Sequence, residues 1–181
     1  DVQEGMRVVD ACAGAGGKTL HLAALMKNKG QIIALDIYEW KLAELKRRAK
    51  RAGAHNIETR FIEDNKVIKR LHEKADRLLI DAPCSGLGVL KRNPDSKWKI
   101  DQDFIDRIKN EQQQILQDYS KMLKKGGKMV YATCSILPSE NNEQVETFLK
   151  NNEGFTLLKE EKVMPSDGFD GFYMALIQRN A

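Results

Sequence analysis

A doubly wound, mostly parallel α/β sheet is the fold class that three features of this sequence predict. Short apolar runs alternate five times with longer helical patterns, and two further strand-like runs close the chain. A glycine-rich turn follows the first run, and an acidic residue ends the second about twenty residues later. The residues with the most reactive side chains stand just after apolar runs, at the rim where open α/β sheets hold ligands.

The chain has 181 residues, enough for one domain that buries roughly two thirds of its unfolded surface. A hydrophobic content of 41% argues against disorder. No apolar run approaches the ~20 residues of a membrane span, so no membrane partner is expected. Three scattered cysteines, Cys12, Cys84 and Cys134, form no Cys-x-x-Cys pair. That indicates neither a disulfide framework nor a zinc site, and it fits a reducing, cytoplasmic setting with no metal. The net charge of +4 permits an anionic partner without demanding one. Because the sequence opens on Asp1, close before its first strand, a piece of a longer protein is expected.

The first strand spans Met6 to Asp10. The turn Ala11-Cys12-Ala13-Gly14-Ala15-Gly16-Gly17-Lys18-Thr19 and the helical pattern Leu20, Leu22-Ala23, Leu25-Met26 follow. Small residues let the backbone approach a ligand, and the helix start offers unpaired N–H groups. A Walker phosphate loop would match Gly17-Lys18-Thr19 but needs glycine where Cys12 stands. A dinucleotide fingerprint begins well at Gly14 and Gly16, then meets Thr19 where its third glycine belongs.

The second strand runs from Gln31 to Leu35 and ends at Asp36, a side chain suited to both hydroxyls of a ribose. Helix two should bury Ala43, Leu45, Ala49 and Ala52 and stop at Gly53. Its other face, Lys46-Arg47-Arg48 and Lys50-Arg51, reads more simply as solvated surface than as a nucleic-acid patch. Strand three, Ile57 to Ile62, leads to Glu63-Asp64. Asp64 could reach the base of an adenosine or cap the helix carrying Val67, Ile68 and Leu71.

Strand four, Leu78 to Ile80, delivers Asp81-Ala-Pro-Cys-Ser-Gly86. The charged segment up to Lys99 is too long for a simple connector. Its Arg92, Lys97 and Trp98 suit phosphate contact and base stacking, although Trp98 could equally be a core anchor flanked by lysine stems. A long helix is predicted over Asp101 to Lys125, stopped by Gly126-Gly127. Strand five, Met129 to Ala132, delivers Thr133-Cys134-Ser135. A helix starting at Pro138-Ser139 and the strands Phe155 to Leu158 and Phe172 to Ile177 complete the chain.

If strands four and five are neighbours, Asp81 and the thiols of Cys84 and Cys134 converge on one crevice. A lone buried cysteine is usually inert packing. Two beside a carboxyl suggest chemistry, provided that Lys18, Arg92 or the helix start near Ser139 supplies the field a thiolate needs. A thiolate is a soft nucleophile suited to C6 of a pyrimidine. A carboxyl that protonates the ring nitrogen would stabilise the adduct, leaving C5 able to take a methyl group.

Four ordered stretches carry a resemblance that covers nearly the whole chain. They are Asp10 to Thr19, Asp81 to Gly86, Arg92-Asn-Pro-Asp-Ser-Lys-Trp98, and Thr133-Cys-Ser135 with Pro138 and Glu140-Asn-Asn-Glu143. Together with Asp170-Gly-Phe-Tyr173, they resemble the RNA cytosine-5 methyltransferases, the Nol1/Nop2/Sun family that includes the bacterial 16S ribosomal RNA enzyme. The resemblance implies a Rossmann-like methyltransferase sheet with an antiparallel closing strand, S-adenosylmethionine as methyl donor, and RNA as substrate, ribosomal before transfer RNA. It further implies that Cys12, Ala13, Gly14, Ala15, Gly16, Gly17 and Lys18 wrap the methionine part, with Asp36 on the ribose and Asp64 at the adenine edge. Asp81 would lie by the methyl centre and contact the cytosine beside Lys18. Cys134 would be the nucleophile, and Cys84 would assist product release.

Two departures from the family are visible. Ala-Pro is common where this chain has Gly14-Ala15, which loosens the turn slightly and adds an N–H donor. Family members also usually carry an RNA-binding portion upstream of the first strand, and this sequence has none, so residues 1–181 read as a single catalytic domain, expected to be monomeric. Three other readings compete: a nicotinamide dehydrogenase, whose fingerprint is incomplete here, a DNA cytosine-5 methyltransferase using Pro83-Cys84, and an inactive RNA-binding or assembly module.

Overall fold

A computed structural model describes residues 1–181. One seven-stranded sheet has the order β3-β2-β1-β4-β5-β7-β6. Its strands are β1 (Arg7–Asp10), β2 (Gln31–Asp36), β3 (Ile57–Phe61), β4 (Ala75–Asp81), β5 (Leu123–Thr133), β6 (Phe155–Val163) and β7 (Phe172–Arg179). The first five pair in parallel, and β7 runs antiparallel between β5 and β6. The doubly wound sheet with an antiparallel closing strand is therefore the fold of this chain.

Alternation along the strands sorts the core into two faces. Val9, Ile33, Leu35, Leu78, Ile80, Met129 and Tyr131 belong to the larger core, with residues of α3 (Lys66–Arg70), α5 (Gln102–Tyr119) and α6 (Asn142–Asn151). On the opposite face, Val8 and Ile32 meet Ala23 and Met26 from α1 (Gly17–Leu25) and the residue after it. Ala34 meets Leu42, Leu45 and Ala49 of α2 (Glu39–Arg51). The buried stripe of α2 thus runs through Leu42, while Ala43 and Ala52, predicted inward, lie exposed. Leu25 also points to solvent. The larger Leu42 fills the space over β2, and an alanine a step away gains too little from burial to turn the helix.

The predicted helix from Asp101 to Lys125 is shorter in the structure. Asp101 caps it, its carboxylate accepting from the Phe104 N–H at 2.8 Å, but the helix ends at Tyr119. A 3₁₀ turn over Ser120–Met122 follows, and Leu123 already pairs with Ala75. Met122 and Leu123 are fully buried, and an apolar pair of this kind fits a helix stripe or a strand equally well. Pairing with β4 decides it, and a bulge then sets Arg77 opposite Lys128. The edge strand β6 carries Lys159-Glu160-Glu161-Lys162, charges that discourage further strand pairing.

The segment after β4 forms a short 3₁₀ turn, Leu87–Val89, and one helical turn, α4 (Ser96–Lys99). Gly88 is where close approach demands glycine. Its N–H reaches the Cys134 carbonyl at 2.9 Å and its own carbonyl accepts from the Gly171 N–H at 2.7 Å. A Cβ there would lie 2.1 Å from the Gly171 oxygen.

Candidate active site

Asp81 pairs with Ala132 in register, so the segments leaving β4 and β5 turn outward side by side. The Ala82 N–H continues the ladder to the Ala132 carbonyl at 2.9 Å. This brings Cys84 Sγ and Cys134 Sγ, fifty residues apart in sequence, to 3.3 Å. From the start of α1, the Lys18 ammonium donates to the Asp81 carboxylate at 2.5 Å and lies 5.4 Å from the centroid of the Phe172 ring. A carboxylate, an ammonium and two thiols therefore share one rim, as the sequence suggested.

The two thiols differ. The Cys84 S–H beside it lowers the pKa of Cys134, against burial and the Asp81 charge, and the nearby Lys18 cation adds to the lowering. Holding that bond raises the pKa of Cys84, and its deeper burial pushes the same way. When the pair carries a negative charge, these shifts put it on Cys134, with the Cys84 thiol as donor. Arg92 contributes nothing here, because it pairs with Asp170 at 2.7 Å.

Next to the pair lies a cavity of about 590 Å³, lined among others by Cys12, Gly14, Asp36, Ile37, Asp81 and Cys84. Asp36, only 7% exposed, accepts from the Gly14 N–H and the Tyr38 N–H, each at 2.8 Å. Gly16 holds the tight part of the turn at φ 87°, with Leu45 of α2 where a side chain would go. The Arg48 guanidinium, read from the sequence as solvated surface, donates to the Ala15 carbonyl at 2.9 Å and braces the turn. Cys12 is half-buried in the cavity wall, and desolvation raises its thiol well above the ordinary range. A nucleoside-sized group fits this volume, with Asp36 as the one carboxylate at the β2 rim. Asp64 does not line the cavity: it pairs with Lys66 and accepts that residue's N–H at 2.8 Å just before α3, whose N-cap position is Asn65 rather than Asp64, and Asn65 lines the cavity instead. Trp98 is 81% exposed with the Lys97 ammonium 4.9 Å from its ring centroid, so it is no core anchor.

Asp10, noted in the sequence only as the end of a strand, is buried behind the rim. One oxygen accepts from the Thr19 hydroxyl at 2.7 Å and the other has no partner. Burial, opposed by that hydrogen bond, pushes its carboxyl up to about 6 from an ordinary 3.8. The folded protein therefore keeps a proton that the unfolded chain has lost, and the resulting stability is complete below pH 3.8 and lost as pH rises through about 6. An Asp10→Asn variant lacks this loss. Its stability relative to the parent should climb between pH 4 and pH 6.5, by on the order of 3 kcal/mol. Urea unfolding at the two pH values measures it, and a flat difference would refute the buried charge.

A second group was read in the sequence only as a member of a motif, with no role of its own. Glu140, fully buried, accepts from the Ser85 N–H at 2.8 Å and from Gln112 Nε2 at 3.0 Å. It also accepts from the hydroxyls of Ser85 and Ser135, both at 2.5 Å. One signal for it was present: Gln112 interrupts the apolar stripe of α5 between Ile108 and Leu116. A buried amide in such a stripe requires polar partners.

Comparison with known proteins gives the family. The family described as 16S rRNA methyltransferase RsmB/F matches residues 1–178. The chain belongs to this family. A ribosomal RNA small subunit methyltransferase B from Yersinia enterocolitica is 39% identical over 191 residues, covering 99% of this chain and 44% of that protein. Among solved structures, PH0851 has a TM-score of 0.95 at 34% identity, covering 99% of this chain and 44% of its own. NSun6 from Pyrococcus horikoshii, solved with SFG, has a TM-score of 0.88 at 29% identity, covering 99% and 49%. This RsmB/F domain thus spans under half the length of each relative. None of its helices is long and apolar enough to cross a membrane.

Proposed function

We propose that residues 1–181 form one catalytic domain that methylates C5 of a cytosine in 16S ribosomal RNA, using S-adenosylmethionine and a covalent bond from Cys134 to C6. The observation that carries this reading is the pair of unlike thiols 3.3 Å apart, beside the Lys18–Asp81 ion pair and opening onto the cavity at Asp36. The relatives' printed names supply the RNA, and SFG, an S-adenosylmethionine analogue, supports the cofactor.

The chemistry follows from the resting state of the thiols. The Cys134 thiolate attacks C6, the C5–C6 π electrons move toward C5, and the ring nitrogen N3 takes a proton that the Lys18 ammonium relays through the Asp81 carboxylate. When bound, S-adenosylmethionine supplies the methyl group that the C5 electron pair accepts. With its sulfur now bonded to carbon, Cys134 no longer holds the Cys84 proton, and the pKa of Cys84 falls. Cys84 loses that proton to solvent and takes the one on C5. The electrons of the C5–H bond restore the ring double bond, the C6–sulfur bond breaks, and N3 returns its proton through Asp81 to Lys18. Cys134 leaves as a thiolate beside a Cys84 thiol, the arrangement at the start. One proton is released per methyl transferred.

Gly14 to Lys18 and Cys12 line the methionine end in this reading, with Asp36 at the ribose. In this reading the exposed Trp98 and Lys97 stack on and pair with RNA, Arg92 joins them by exchanging Asp170 for a phosphate, and the compartment is the cytoplasm. Incubating the full-length protein with labelled S-adenosylmethionine and 16S ribosomal RNA tests it. The expected product is 5-methylcytosine, and label on another atom, or RNA left unlabelled, would reject the reading.

A further inference from the structure

We infer that Glu140 is a positioning residue that sets the separation of the two thiols, by gripping with one buried carboxylate the residues that follow Cys84 and Cys134. The inference rests on the reading of those thiols as the reacting pair.

Every group around this carboxylate donates to it, and the donors come from three separate parts of the chain. Ser85, next to Cys84, supplies its N–H and its hydroxyl. Ser135, next to Cys134, supplies its hydroxyl, 3.2 Å from that of Ser85. Gln112 of α5 divides its amide between Glu140 and the carbonyl of Pro83, the residue before Cys84, at 2.9 Å. Glu140 is itself anchored, its carbonyl accepting from the Tyr131 hydroxyl at 2.8 Å. Its neighbour Asn141 secures the other flank of Cys134, accepting from Thr133 Oγ1 at 2.5 Å and donating to the Ser135 carbonyl at 3.0 Å.

Burying an ionised carboxylate without a cationic partner is expensive, and an apolar side chain could fill the same space at less cost. What only an acceptor with two oxygens can do is hold two hydroxyls and two N–H groups at once. The sulfur–sulfur hydrogen bond gains from this restraint, because the two segments are no longer paired with each other beyond Ala82 and Ala132; Thr133 pairs instead with Tyr173 of β7, and the Gly88 N–H holds only the Cys134 backbone. A small change in separation would weaken that bond and return both thiols toward ordinary behaviour.

The test is the pH profile of thiol alkylation by iodoacetamide, read on the Cys84 and Cys134 peptides by mass spectrometry in the full-length protein without RNA or cofactor. The parent should alkylate at Cys134 well before Cys84. In Glu140→Gln the Cys134 midpoint should rise by about one pH unit, the loss of one hydrogen bond to an ionised sulfur, and Cys84 should lose its protection. The sign discriminates. Around Cys134 stand Cys84 and Asp81 from the end of β4 and Lys18 from α1, and these are unchanged in the variant. Deleting the negative charge of Glu140 could by itself only lower the midpoint, so a rise reports lost positioning.

Ser135→Ala removes one bond of the four and should give a smaller rise, keeping the test open if Glu140→Gln does not fold. Unchanged or lowered midpoints in whichever variants fold would reduce Glu140 to a structural post. If the parent fails to methylate RNA while these shifts appear, the proposed reaction fails and the positioning role stands.

Discussion

Cys134→Ala should abolish methyl transfer and leave no protein–RNA adduct, whereas Cys84→Ala should trap one. The first substitution removes the nucleophile, so no bond to C6 forms. The second leaves the nucleophile but removes both the S–H that lowers the pKa of Cys134 and the base that takes the C5 proton. Attack then becomes slower at neutral pH but still occurs, and the methylated ring stays attached. A denaturing gel with labelled RNA separates the cases. Turnover should fall by at least ~10²-fold in either variant, the usual lower range for deleting an acid–base group. The reverse pattern, an adduct with Cys134→Ala and none with Cys84→Ala, would exchange the roles and make Pro83-Cys84 the nucleophile segment, as in the DNA enzymes that it resembles. The 3.3 Å separation allows either sulfur to reach a ring placed above the pair, but only Cys134 has the lower pKa.

Asp36→Ala should weaken S-adenosylmethionine binding about 100-fold or more. The carboxylate stands ready for two ribose hydroxyls, each charge-assisted bond contributing on the order of 1.5–3 kcal/mol. The same oxygens accept from the N–H groups of Gly14 and Tyr38, so the substitution also releases the turn that shapes the cavity. Calorimetry on the full-length protein measures the loss. Asp64→Ala gives the contrast: Asp64 is engaged with Lys66 outside the cavity, so its removal should change affinity far less than that of Asp36. Equal losses would mean that Asp64 swings in to hold the adenine edge, and an unchanged affinity in Asp36→Ala would remove the cofactor assignment.

Local features are what the sequence by itself determined here. Apolar runs with helical stretches between them predict strands and helices wherever they occur, because the period of burial is set within a few residues. The sheet class, the rim position of Asp36, Asp81, Cys84 and Cys134, and the turn at Gly14 to Lys18 follow from such runs, and the order of motifs was enough to suggest the family. Features that depend on which distant segments meet were left to the tertiary structure. Met122 and Leu123 suit helix or strand, and pairing with Ala75 made them a turn and a strand start. Asp64 could face a cofactor or cap a helix, and the fold engages it with Lys66 one residue before the helix cap, Asn65. Trp98 could sit in the core or in solvent, and the fold leaves it outside. Glu140 had no readable role, since its four donors lie on residues 85, 112 and 135 and meet only when β4, β5 and α5 are in place. The separation of the thiols is of the same kind. A sequence shows that two cysteines follow two strands, but only strand register brings them to hydrogen-bonding distance, and that contact is what lowers the pKa of Cys134 and raises that of Cys84.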